Sequence, residues 1–172
     1  MNRWQKVAEA AEQGNLAYLK EAQTYQYVNF TWNTEALFRA VDNNHMDCVE
    51  FLLPLSDLRV ERGEIVNGST GQLLQTAVRN NNFEMVVLLL PHCNPQVDNS
   101  LALQLASQCC DMNMVELLYP LSNPIQALRD LYERIHIGVW MPDAATLLEA
   151  RMQRDTLVSH LPTTERTTVR KL

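Results

Sequence analysis

The chain has 172 residues, 47% hydrophobic and 20% charged, with five glycines and a net charge of −6. That length suits one domain with a substantial core or a short repeat array. The acidic balance argues against non-specific nucleic-acid binding, which needs a basic footprint to release counterions, and no apolar run reaches membrane-span length.

The opening, MNRWQKVAEAAEQGN, has no apolar h-region, so no secretory signal is expected. VAEAAEQGNLAYLKEA reads as a helix pair over about residues 3–23, with Gly14 in its turn. Glu9, Glu12, Gln13, Lys20 and Glu21 give it a polar outer face, as a capping unit needs. A connector, TYQYVNFTWNTEAL, follows.

Three similar stretches come next, and they align on Pro54, Pro91 and Pro120. Eighteen residues before each proline stand Ala36, Leu73 and Ala102. Leucine follows each time (Leu37, Leu74, Leu103), and alanine comes three positions later (Ala40, Ala77, Ala106). That spacing marks one helix face. A short polar stretch leads to a second set: Val49, Leu52, Leu53; Val86, Leu89, Leu90; Val115, Leu118, Tyr119. These are again helical, and the proline that follows ends the helix. Each unit is helix, tight turn, helix, stop. Such a pair cannot bury its apolar face alone and must stack on another.

Ala102 follows Ala36 by 66 residues, twice a 33-residue period. The middle unit is displaced by four residues, which places the extra length in the connector over 55–72. Asn44, Asn81 and Cys110 occupy the position that follows the first helix. Asparagine tolerates a left-handed turn. Cysteine tolerates it poorly, so the third turn is expected to be irregular.

After Leu121 the pattern fades. NPIQALRDLYERIHIG begins like a repeat, with Gly138 as its end. Pro142–Asp143 opens a long helix with apolar Ala144, Leu147, Leu148, Met152 and Leu157. This is read as the C-terminal cap. The tail PTTERTTVRKL is polar.

Little points to chemistry. No nucleophile elbow, zincin motif, phosphate loop or dinucleotide fingerprint occurs. His45 with Cys48, and His92 with Cys93, fall at separate places along the array and are read as structural or surface groups. No metal and no cofactor is expected. The cysteines are read as reduced thiols, Cys109 and Cys110 as one buried and one exposed.

The 33-residue helix-turn-helix unit, with its alanine-rich first helix and V-x-x-LL second helix, resembles an ankyrin repeat over residues 30–125. LLPLSD, CNPQVDNSLALQLA and LLYPLSNP are similar to a divergent form common in bacterial and amoeba-associated proteins, although EALF, QLLQ and LALQ stand where the usual TPLH would be. The resemblance implies an all-α solenoid of three central units. One domain is expected over 1–161, with an N-terminal cap and connector at 1–30, repeats at 31–125, a cap at 126–161, and a polar tail at 162–172.

The resemblance also implies a non-catalytic scaffold that binds a partner protein through connector tips and first-helix turns. Those positions here are Glu12 and Gln13; Trp32, Thr34, Asp42 and Asn43; Ser69, Gly71, Arg79 and Asn80; Asp98, Ser100, Gln108 and Cys109. Arg59 and Arg62 of the long connector join them, and Trp32 is the expected anchor. Its narrower form is a bacterial or phage effector or inhibitor, cytoplasmic or delivered into a host cytosol. Neither nucleic acid nor membrane is expected as a partner, and the chain is expected to be a monomer or to self-associate weakly. The alternatives are a self-associating assembly subunit and a thiol-based redox protein or enzyme using Cys109 and Cys110.

Overall fold

A computed structural model describes residues 3–24, 30–56, 58, 60–61, 64–65, 69–137 and 142–160. The chain resolves into two compact units, Met1–Asp98 and Asn99–Leu172.

The first unit contains α1 (Arg3–Glu12), α2 (Leu16–Gln23), α3 (Phe30–Asp42), α4 (Met46–Leu52), α5 (Ser69–Arg79) and α6 (Phe83–Leu89). These are the helix pairs expected from the repeat. α1 packs on α3, and α3 on α5. Ala36, Leu37, Ala40, Leu73, Leu74 and Ala77 are all fully buried, as are Val49, Leu52, Val86 and Leu89 on the second helices. Alanine matters because it lets neighbouring helices approach closely, while the leucines supply apolar area worth about 2 kcal/mol each on burial.

Two of the second helices, α2 and α6, begin with side-chain caps, whereas α4 follows His45 without one. Asn15 accepts from the Tyr18 amide and Asn82 from the Met85 amide, each worth about 1 kcal/mol. Their ends differ slightly from expectation. α4 and α6 stop two residues before the proline, and Leu53–Leu55 and Leu90–His92 each form one 3-10 turn with the proline inside it. Proline lacks the amide that another helical turn would need. The long connector carries a short antiparallel hairpin, β1 (Val60–Glu61) and β2 (Glu64–Ile65), with Val60 opposite Ile65.

The second unit holds most of α7 (Val97–Gln108), then α8 (Met112–Leu118), α9 (Pro124–His136) and α10 (Pro142–His160). Asp111 and Asn123 cap α8 and α9. Ala102, Leu103, Ala106, Met114, Val115 and Leu118 repeat the buried pattern, and Leu131, Ala144, Ala145 and Leu148 make the capping core. Tyr132 of α9 donates its hydroxyl to Glu149 of α10.

α7 opens unusually. Asp98, Asn99 and Ser100 are all left-handed, with φ of 52, 56 and 61°. Aspartate and asparagine tolerate this region better than most residues, and serine does not share their advantage. Each side chain is held. Asp98 accepts from Gln75 at 2.9 Å, Asn99 donates to Asp130 at 2.9 Å, and the buried Ser100 hydroxyl accepts the Asn123 amide at 2.8 Å.

Candidate functional site: the first-helix turns and the α1–α3 groove

Each first helix ends in one backbone design. The residue after the last turn is left-handed: Gly14 (φ 70°), Asn44 (63°), Asn81 (52°) and, in the second unit, Cys110 (55°). In the first unit the next amide reaches back to the repeat alanine: Asn15 to Ala10 at 2.7 Å, His45 to Ala40 at 2.9 Å, Asn82 to Ala77 at 3.2 Å. This closes the helix C-terminus and satisfies carbonyls that would otherwise lack partners. Cys110 keeps the same conformation, and its amide bonds to the Ser107 carbonyl at 3.2 Å. The third turn therefore shares the left-handed residue but not the reach-back bond: among the described residues the Asp111 amide makes no hydrogen bond to the Ala106 carbonyl.

Within the first unit the turns are tied to one another. His45 Nε2 lies 2.9 Å from the Glu12 carbonyl oxygen, which can only accept, so this nitrogen carries the proton. Asn80 donates from Nδ2 to the carbonyls of Val41 and Asp42, at 3.0 and 3.2 Å, and Asn82 donates to Asn44 Oδ1 at 2.6 Å. The His45 ring fills the space beside Gly14, where an added Cβ would stand 2.6 Å from Nδ1. Gly14 thus answers both a positive φ and a close approach.

Three of these four bonds end on backbone carbonyls, and the fourth joins Asn82 to the Asn44 side chain. Glu12, Gln13, Asp42, Asn43, Arg79 and Asn80 are all exposed, in three turns set side by side. Asp42 and Arg79 have no side-chain hydrogen bond or ion pair among the described residues.

Beside this row, α1 and α3 border a groove of about 580 Å³, lined by Trp4, Gln5, Ala8, Glu9, Glu12, Gln13 and Arg39. Arg39 Nη1 meets Glu12 at 3.0 Å, and its Nε meets Glu35 at 3.2 Å. The hydrogen bond to Glu35 is the main reason its pKa lies above the ordinary arginine value. Trp4 is 41% exposed. Trp4 and Arg39 were not among the expected contact residues, and Glu9 was expected only on the polar outer face of the capping pair. A signal for Trp4 was present: it is spaced at i, i+4, i+8 with Ala8 and Glu12 along one stripe of α1, whose ends are exposed while Ala8 is buried.

Other expected site residues lie elsewhere. Arg59 and Arg62 fall outside the described residues, as do the side chains of Trp32 and Ser69. Thr34 and Ser100 are 2% and 0% exposed, so both are corrected out of the contact surface. Gly71 is buried too, with Val97 2.6 Å from where its Cβ would be. Asp98 is exposed but bonded to Gln75. Gln108 is half-buried in the second unit.

Cys109 and Cys110 are both exposed, not one buried and one exposed as expected, because the turn points both side chains outward. Cys48 and Cys93 are buried. Burial pushes the Cys93 thiol up to about 12, against a weaker opposing hydrogen bond with the Leu74 backbone. No group of three or more His, Cys, Asp or Glu among the described residues is placed to hold a metal ion. No helix among them is long and apolar enough to cross a membrane.

A family model described as ankyrin repeats (3 copies) matches residues 37–127, just over half of the chain. No curated protein and no solved structure matches it.

Proposed function

Because the chain belongs to the ankyrin-repeat family, whose repeats are generally protein–protein interaction modules, we propose that it is a non-catalytic scaffold. It binds a partner protein through the turn row Glu12–Gln13, Asp42–Asn43 and Arg79–Asn80. The observation that carries this reading is the turn-to-turn bonding. His45, Asn80 and Asn82 fix three turns in register through carbonyls and one amide oxygen. The side chains of Asp42 and Arg79, which carry no hydrogen bond or ion pair among the described residues, are left for a partner. A rigid frame lowers the ordering cost of binding. The finer role, an effector or inhibitor acting on a host or defence protein from the cytoplasm or a host cytosol, belongs to the same proposal.

The test is crosslinking capture from the native cell and from a host cell, with wild type beside an Asp42→Arg, Arg79→Glu double variant whose fold is checked by circular dichroism. A partner held by wild type and lost by the folded double variant supports the turn row, and its identity decides the effector reading. Equal capture by both overturns the row as the binding surface.

A further inference from the structure

The α1–α3 groove has chemistry that the turn row lacks. Its exposed aromatic is an indole, and the nearby charges are mostly negative. Three carboxylates, Glu9, Glu12 and Glu35, stand near one guanidinium. Arg39 is committed to Glu12 and Glu35. Glu9 is left with a 3.5 Å hydrogen bond from its own-helix neighbour Gln13 and no ion pair among the described residues. Lys6 borders an adjoining depression with Glu9, Gln13 and Tyr18, and it too has no ion pair there. Trp4 and Glu9 therefore line one open groove, an aromatic face and an uncompensated carboxylate within reach of the same ligand.

A cation is attracted to an indole face by its quadrupole and to a carboxylate by its charge. An acidic ligand would meet Glu9 and Glu12 with like charge. A purely apolar ligand would bury Glu9 unpaired. We propose that this groove takes an arginine- or lysine-bearing segment of the partner protein, with the cation over Trp4 and paired to Glu9. The proposal rests on the scaffold reading and gives its partner a charge sign. The chain's net charge of −6 favours the approach of such a segment.

The test is selection from a random-peptide display library against the full chain, followed by affinity measurements on the selected peptides. Groove binders are expected to share an arginine or lysine. Their affinity falls about tenfold with Trp4→Ala and several-fold with Glu9→Gln, since a desolvated cation–π contact is worth about one such factor. Trp4→Phe, which keeps an aromatic face, retains part of the affinity. Glu84→Gln, exposed on α6 and outside both the groove lining and the turn row, leaves it unchanged. Binders without a cationic residue, binders indifferent to Trp4→Ala and Glu9→Gln, or no binders at all overturn the assignment. The turn row is judged separately by the Asp42 and Arg79 capture, so one can fail while the other stands.

Discussion

Two arginines in this protein do similar work in different surroundings. Arg39, in the first unit, bridges Glu12 and Glu35 with its side chain 46% exposed. Arg151, in the second, is 13% exposed, lies 2.7 Å from Glu116 and 2.9 Å from Asp155, and stacks 4.2 Å from the Tyr119 ring centre. Its approach to Glu116 is an ion pair without well-aligned hydrogen-bond geometry. Burial alone pulls Arg151 down, and the two carboxylates more than restore it, so its pKa lies above the ordinary value. The half-buried network belongs to the packing of α8 with α10. The exposed one is screened by water, contributes little to folding and is open to exchange with a ligand.

The sharpest way to break this contrast is Arg151→Ala. It leaves Asp155 and Tyr119 without their cation and Glu116 with only Arg154 at 3.6 Å, and is expected to cost about 2 kcal/mol, read as a lower urea midpoint. Gly14→Ala strikes the frame beneath Arg39's partner Glu12. A left-handed alanine against the His45 ring is expected to cost about 1–2 kcal/mol by the same measurement. Arg39→Ala, by contrast, is expected to cost about 0.5 kcal/mol or less, with salt erasing the difference. A loss as large as that of Arg151→Ala would remove the distinction between the two networks.

The thiols extend the contrast to reactivity. Cys109 and Cys110 are expected to react at once with a thiol reagent in the folded protein, and Cys48 and Cys93 only on unfolding. The sign for pH follows. The unfolded Cys93 thiol releases its proton near the ordinary thiol value of 9.0, while the folded one holds it to about 12. The folded state therefore binds more protons between these values, and this site's contribution to stability falls as pH rises through that window. Denaturation midpoints of wild type and Cys93→Ala, compared across that range, should converge as pH rises.

The repeat was legible because its signals are local and recur: a proline stop, an alanine three residues after a leucine, a polar gap between two helical faces. The left-handed turn was legible at Asn44 and Asn81, whose side chains favour it. It was not legible at Cys110, which adopts it although its side chain does not favour it. The Asp98–Ser100 segment hid its geometry, because its bonds reach Gln75, Asn123 and Asp130, over 20 residues away. The binding face was half legible. The turn positions could be counted off from the family pattern. Arg39 could not, because its significance arises only when α1 lies against α3, and the helical spacing of Trp4 placed it on a face without saying what that face borders.

The turn ladder also separates what must be kept from what is free to change. Asn80 reaches Val41 and Asp42 across the longest connector in the array, residues 55–72, and its bonds there stay at 3.0 and 3.2 Å. The connectors join the helix pairs at the end away from these turns. Added residues there lengthen a finger without moving a rung. For protein engineering this makes 55–72 a graft point. New sequence inserted between β1 and β2 would inherit a scaffold already in register, and the turn row would not sense the exchange.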